Sequence, residues 1–383
     1  MPPFPFIAAE LEPCDPGSRV FSQLVDISGL RDEFPVFEEL AYLNAGTDGP
    51  LPARAAEAMA EEIGREARVG RTQAHFERRS ELAAELRAGY ATVLGCDSAE
   101  VALTTCTSDG IAQTVGGFPF EPGDEILTSD EEHPGLLGAL TAARDLHGVS
   151  IRLVPLADIA DALSPRTRLI ACSHVGWMSG SLAPAALRDV DVPVILDGAQ
   201  GLGAVEVDVA SLGCAAYAGS GQKWLCGPDG TGALYISPGL LERLSVTRRG
   251  YPNLANPNDG LDATLHDDAR RLEALSLSGE ALACALASIR VLEAAGWSTV
   301  HACARELAAR LAQLLAGIGR EVAPRGETTL VSFQSADPAS ERARLLELGV
   351  VVRDIPGRPW LRASVGAWND EGDLQRMLVA LNG

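Results

Sequence analysis

The sequence predicts an α/β protein built on a mostly parallel sheet of seven strands, followed by a smaller α+β unit. Three observations predict it. From about residue 100, short apolar runs alternate with stretches of helical period. Several of these runs are apolar at every position, as strands buried on both faces are. Chemically distinctive residues follow directly after the runs, where open α/β sheets bind their ligands.

The elements follow in chain order. The N-terminal arm, 1–40, is rich in Pro, Phe and acidic residues and has no clear period. Residues 41–52, AYLNAGTDGPLP, read as an ordered loop punctuated by Gly and Pro. Helical period carries 53–69 and 75–93. The seven strands are expected at 101–104, 125–128, 151–154, 169–173, 192–197, 215–218 and 233–236. An irregular stretch over 248–268 contains Tyr251-Pro252-Asn253 and Asn256-Pro257. A long helical region, 279–318, is interrupted near Gly296. The end alternates again: strand 329–333, helix 338–348, strands 350–353 and 361–364, helix 370–382. This divides the chain into an arm (1–40), a large ligand-binding α/β domain (41–278) and a connecting helix with a small α+β domain (279–383).

A formal charge of −21 leaves no basic tract to neutralise a phosphate backbone, so a nucleic-acid partner is not expected. No apolar run reaches membrane-spanning length, and the first nine residues lack the basic flank of a secretory signal. Eight scattered cysteines, none in a CxxC pair, read as buried small hydrophobes in a reducing compartment. The expectation is a soluble, cytoplasmic protein without a metal site, because no histidine has metal-ligand spacing.

Lys223, in Ser220-Gly221-Gln222-Lys223-Trp224, is the only lysine in the chain; every other one of the 31 basic residues is arginine. A guanidinium supplies charge, but it cannot lose a proton near neutral pH and attack a carbonyl as a primary amine can. Twenty-six residues earlier, the run Val194-Ile195-Leu196 ends in Asp197-Gly198-Ala199-Gln200. Asp197 reads either as a helix cap or as a carboxylate that holds positive charge on a ring nitrogen. An acid for a pyridinium and a Schiff-base lysine are together what pyridoxal phosphate requires. His133, after the strand near Ser129, fits a cap, or a ring stacked on a cofactor. Thr107-Ser108-Asp109-Gly110 opens a helix, either as a cap or as a phosphate site. His174 and Trp177 follow another strand and could wall the pocket, with Arg71 and His75 further pocket candidates. The glycine-rich Gly227–Gly232 stretch has neither a dinucleotide fingerprint nor a P-loop lysine.

In this order, Thr-Ser-Asp-Gly, Glu-Glu-His-Pro-Gly, Ser-His-Val, Asp-Gly-Ala-Gln, Ser-Gly-Gln-Lys-Trp and Leu-Arg-Ala-Ser resemble the class V aminotransferase family of fold type I pyridoxal-phosphate enzymes. That family includes cysteine desulfurases, isopenicillin N epimerase-like proteins and cystine C–S lyases, and the resemblance covers about 40–383. It implies pyridoxal 5′-phosphate bound as a Schiff base to Lys223. It also implies Asp197 at the ring nitrogen, Gln200 at the ring oxygen and His133 on the ring face. Thr107, Ser108, Ser220 and Gln222 would contact the phosphate. Ser276 would reach the phosphate of a partner subunit, which implies a homodimer with shared active sites. Arg362 would clamp the carboxylate of a small amino-acid substrate, with Asn44 and Ala45 in a substrate-side loop.

Two departures bear on activity. The family usually has His where this chain has Gln222. Cysteine desulfurases carry a catalytic cysteine shortly before the C-terminal arginine, and the segment 352–360 has none. The pieces lie nearest the C–S lyase branch, so the expected reaction is β-elimination at a C–S bond. Transamination, epimerisation and a non-catalytic cofactor-binding scaffold are the alternatives.

Overall fold

The computed structural model describes residues 27–382. Most of the expected N-terminal arm, 1–26, lies outside the described residues. The large unit is built on seven strands: β2 (Val101–Thr104), β3 (Glu125–Ser129), β4 (Ser150–Val154), β5 (Thr167–Ser173), β6 (Val194–Asp197), β7 (Ala216–Ser220) and β8 (Gly232–Ile236). They lie in the order β2-β8-β7-β6-β5-β3-β4. All are parallel except β8, which runs antiparallel to both of its neighbours. Each expected run forms a strand, with ends shifted by at most two residues.

The continuous apolar character has a simple cause: both faces are covered. Leu127, Ile170, Cys172, Leu196 and Tyr217 join one core, with Leu82, Leu86 and Tyr90 of helix α2 (Gln73–Leu94) and Leu282 and Ile289 of helix α5 (Gly279–Ala295). Their neighbours one position along, Ile126, Leu169, Ala171, Ile195, Ala216 and Ala218, join a second core. That core includes Ile111 and Val115 of helix α3 (Thr107–Gly117) and Leu136 and Leu140 of helix α4 (Pro134–His147). Strand side chains alternate between faces, so two apolar faces need apolar residues at every position. Helix α1 (Ala53–Val69) precedes α2, and α6 (Trp297–Gly317) follows α5 after a break at Gly296, whose φ of 83° favours glycine.

The smaller sheet is antiparallel, in the order β11 (Arg353–Asp354), β12 (Trp360–Ser364), β9 (Leu330–Gln334). The expected strand 350–353 is split. Val350–Val351 (β10) pairs in parallel with Ala41–Tyr42 (β1), and the chain joins the other sheet only after the buried Val352. Ala41 and Leu43 therefore pack into the C-terminal core with Leu311, Phe333 and Leu361. Helices α7 (Pro338–Glu347) and α8 (Glu371–Asn382) complete this unit. The turn 176–181 after β5 fastens the two units together. Trp177 O accepts from Arg362 Nη1 at 2.7 Å, Gly180 O accepts from Thr328 Oγ1 at 2.8 Å, and Met178 O accepts from Ser332 Oγ.

Candidate active site

The C-terminal ends of β2, β3, β5, β6 and β7 open into one cavity, roofed by β11 and β12 of the smaller unit. Lys223 sits three residues beyond the end of β7. Its backbone is fixed by hydrogen bonds Gly227 N to Gly221 O at 2.8 Å, Cys226 N to Lys223 O at 3.1 Å and Gly49 N to Gln222 O at 2.7 Å. Cys226 is the only non-glycine residue with positive φ among the described residues, at 55°, and it closes this turn. Gly49 belongs to the loop after β1, and a Cβ there would lie 2.0 Å from Lys223 O. Burial pushes the Lys223 amine down to about 8. Asp197 and Asp48 oppose the shift, while Arg362 and Arg353 add to it.

Asp197 ends β6 and is nearly fully buried. Its Oδ1 accepts from Ala199 N at 2.9 Å, so it braces a turn rather than capping a helix, and the residue also lines the cavity. Burial raises its carboxyl, and the Ala199 N–H and Lys223 pull it back. Gln200 donates from Nε2 to Gly46 O at 2.7 Å and accepts on Oε1 from Trp224 Nε1 at 3.0 Å. Only one of its two amide hydrogens is committed there. A Cβ on Gly46 would lie 2.8 Å from Gln200 Oε1 and 2.7 Å from Ser364 Oγ, so this close approach requires glycine.

Helix α3 begins at the cavity without a side-chain cap. Thr107 N donates to Ser220 Oγ at 3.1 Å, and the two hydroxyls lie 2.8 Å apart, which ties the helix start to the end of β7. Ser108 and Gln222 complete this wall. His133 lies between β3 and α4, and the cap reading of it is correct. Its Nδ1 accepts from Gly135 N at 3.0 Å and caps α4, while its ring lines the cavity edge-on to Trp177, centroids 5.1 Å apart. Burial, with the charges of Lys223, Arg353 and Arg362, lowers this imidazole to about 4. It is neutral at physiological pH, and the acceptor role of Nδ1 puts the proton on Nε2.

Opposite Lys223, Arg362 on β12 is almost fully buried, and its Nε has no hydrogen-bond partner. Arg353 on β11 lies directly across from it, Arg353↔Arg362 being register partners, and both line the cavity. Both reach Thr47 Oγ1, at 3.3 Å and 3.5 Å. Burial and Arg353 lower the Arg362 guanidinium to about 9, so it stays cationic near neutral pH. Like charges directly across two strands repel. This pair therefore has an unmet demand for anions.

The class V aminotransferase description matches residues 41–376. The chain belongs to the class V aminotransferase family. Isopenicillin N epimerase of Streptomyces clavuligerus is 29% identical over 377 residues, which span 89% of this chain and 94% of that protein. A probable cysteine desulfurase of Pseudomonas aeruginosa is 31% identical, spanning 92% and 96%. Among solved structures, the cystine C–S lyase C-DES in complex with its product cysteine persulfide is 26% identical with a TM-score of 0.86. The match spans 91% of this chain and 98% of that one. Class V members are fold type I pyridoxal-phosphate enzymes. The chain is an enzyme of this class, and pyridoxal phosphate is its cofactor.

The class V cavity suits that group. Helix α3 opens onto the cavity with no cap from its N-cap residue Cys106, which suits an anion there. Gln222 Oε1 is buried without a partner, and the lone amine is held in a site that depresses its proton affinity.

Six expected residues do not line it. His174 turns away: its Nδ1 lies 3.0 Å from Tyr217 OH, and its ring sits in a recess behind the sheet end with Leu187 and Leu212. Asn44 accepts from Thr47 Oγ1 at 2.8 Å, and Ala45 is fully buried; they shape the loop, while Gly46 and Thr47 face the cavity. Ser276 lies in a separate groove with Tyr251 and Arg270, outside the cavity of its own chain. Arg71 and His75 are likewise elsewhere, both at Glu66. The cavity residues not singled out from the sequence include Arg353, Thr47, Cys106 and Ala199. Reading 353–362 as a hairpin with its turn centred on Gly357-Arg358 would have placed Arg353 opposite Arg362.

Proposed function

We propose that this class V enzyme is a C–S β-lyase acting on a disulfide amino acid such as cystine. The cross-strand pair Arg353 and Arg362 carries the reading: two guanidinium groups face one cavity and fit a substrate with two carboxylates. The segment 352–360 has no thiol to relay sulfur, and among the described residues Cys106 is the one cysteine lining the cavity, beside the start of α3.

Thr107, Ser108, Ser220 and Gln222 would hold the cofactor's phosphate, His133 its ring face, Asp197 its ring nitrogen and Gln200 its ring oxygen. Pyridoxal phosphate, when bound, supplies an electron sink for the pair released from the substrate α-carbon. Arg362 orients the α-carboxylate, and Arg353 receives the distal one. Lys223 Nζ, with its proton affinity lowered to about 8, takes the α-proton. The Cβ–S bond then breaks with its electron pair on sulfur, leaving a cysteine persulfide. The three-carbon fragment ends, after hydrolysis, as pyruvate and ammonia. A proton returned by Lys223 elsewhere would instead give transamination or epimerisation.

The same reading places a second copy of the chain over the segment 251–277, where Tyr251, Leu261 and Leu275 are exposed and Ser276 faces outward from its own cavity. It also places the enzyme in a reducing, cytoplasmic setting, consistent with seven unpaired cysteines among the described residues. The test is to supply cystine without a keto acid. Stoichiometric pyruvate supports elimination, strict dependence on a keto-acid acceptor indicates transamination, and inversion at the α-carbon without pyruvate indicates epimerisation. Light scattering reads the dimer.

A further inference from the structure

Glu132 is a buried carboxyl with no role in the chemistry above. It is only 6% exposed, yet it receives three donors from two strands. Ser129 Oγ, at the end of β3, donates to Oε1. Ser173 N, at the end of β5, donates to the same oxygen at 2.9 Å, and Ser173 Oγ donates to Oε2 at 2.7 Å. Glu132 thus clamps the ends of two adjacent parallel strands at the rim where the cavity opens. Two features make this more than a structural fastening. The next residue is His133, whose ring forms the cavity wall. And Ser173 is the register partner of Asp197 across β5 and β6, with His174 N donating to Asp197 O at 2.9 Å.

We propose that Glu132 is a positioning residue for the cofactor site, fixing the turn that presents the His133 ring and holding it in register with Asp197. The inference rests on the pyridoxal-phosphate reading of the cavity. The His133 ring has two contacts of its own, Gly135 N and the Trp177 edge, and neither fixes the backbone that carries it out of β3. Glu132 pins that backbone. A carboxyl with two oxygens is the side chain able to take donors from both strand ends at once. Burial raises its proton affinity to about 7, the three donors opposing and the nearby Asp197 adding to the shift. A glutamine of the same shape therefore keeps the clamp, because serine hydroxyls can accept as well as donate. An alanine leaves Ser173 N without a buried acceptor.

Glu125, at the opposite end of β3, provides the control. It is equally buried and is held by Arg152, Ser164 and Thr167, but it lies away from the cavity. Apo-protein of wild type, Glu132→Ala, Glu132→Gln, Ser173→Ala and Glu125→Gln is titrated with pyridoxal phosphate. Dissociation constants and the visible circular dichroism of the bound cofactor are measured, with far-UV spectra as a folding check. The expected result is at least a tenfold weaker constant and loss of most of the visible dichroism in Glu132→Ala. Glu132→Gln restores both to within about threefold, Ser173→Ala falls between, and Glu125→Gln matches wild type even where its melting temperature drops. Wild-type values in Glu132→Ala, or the same spectral loss in Glu125→Gln, overturn the inference. Should Glu132→Ala fail to fold, wild-type spectra in Ser173→Ala overturn it. Absence of any cofactor signal in wild type overturns the cofactor reading itself, and the inference with it.

Discussion

The amine of Lys223 is the most exposed point of the reasoning, because the chain offers no second lysine to blur a measurement. An ordinary lysine titrates near 10.4, whereas burial lowers this one to about 8. The neutral fraction at pH 7 is then about one tenth, roughly 250-fold above that of an ordinary lysine. Reductive methylation of the apo-protein with formaldehyde reads that fraction directly, and peptide mapping isolates residue 223. The rate is expected to rise with pH to a midpoint near 8. Asp197 raises the Lys223 proton affinity and Arg362 lowers it, so Asp197→Asn moves the midpoint down and Arg362→Gln moves it up. The stability sign follows. The folded state holds fewer protons than the unfolded chain between about 8 and 10.4, so this residue's contribution to stability rises with pH through that window. A midpoint near 10, or shifts of the opposite sign in the two variants, would refute the account of the site's electrostatics.

Other outcomes follow from single contacts. Arg362→Gln removes a charge-assisted clamp of about 1.5–3 kcal/mol, so KM for any amino acid rises about 10- to 150-fold in steady-state assays. Arg353→Gln raises KM for cystine but leaves a monocarboxylate such as β-chloroalanine within about threefold; an equal effect on both removes the two-carboxylate argument. Gly46→Ala forces a Cβ to within 2.7 Å of Ser364 Oγ and 3.0 Å of Arg362 Nη2. It costs about 1–3 kcal/mol in denaturant melts and weakens substrate binding. Trp224→Phe leaves Gln200 Oε1 without its Nε1 donor, at a cost of about 1–3 kcal/mol in the same melts.

The sheet and the cavity wall at its strand ends were legible in the chain because local rules govern them. Strands such as Leu169–Ser173 announce burial on both faces by being apolar throughout. Cavity-lining residues follow them at the C-terminal ends, as Asp197, His133 and Lys223 do. The substrate side was less legible, since it depends on how two units meet. His174 lies one position past Ser173, the register partner of Asp197, so strand alternation turns its ring to the opposite face, where it pairs with Tyr217. Arg353 read as the end of one strand, 350–353, until the split of that run and the pairing of β11 with β12 set it across from Arg362.

The sequence by itself determined the α/β class, the order of the strands along the chain and the position of its one lysine, which lines the cavity. Each is written in residue type and period, which act over a few residues. Tertiary structure alone decided the antiparallel insertion of β8, the transfer of Ala41–Tyr42 to the C-terminal unit and the meeting of two arginines in one cavity. Those arrangements bring together residues up to 309 positions apart, as Ala41 and Val350 are. Their partners are selected by packing, which no local pattern records.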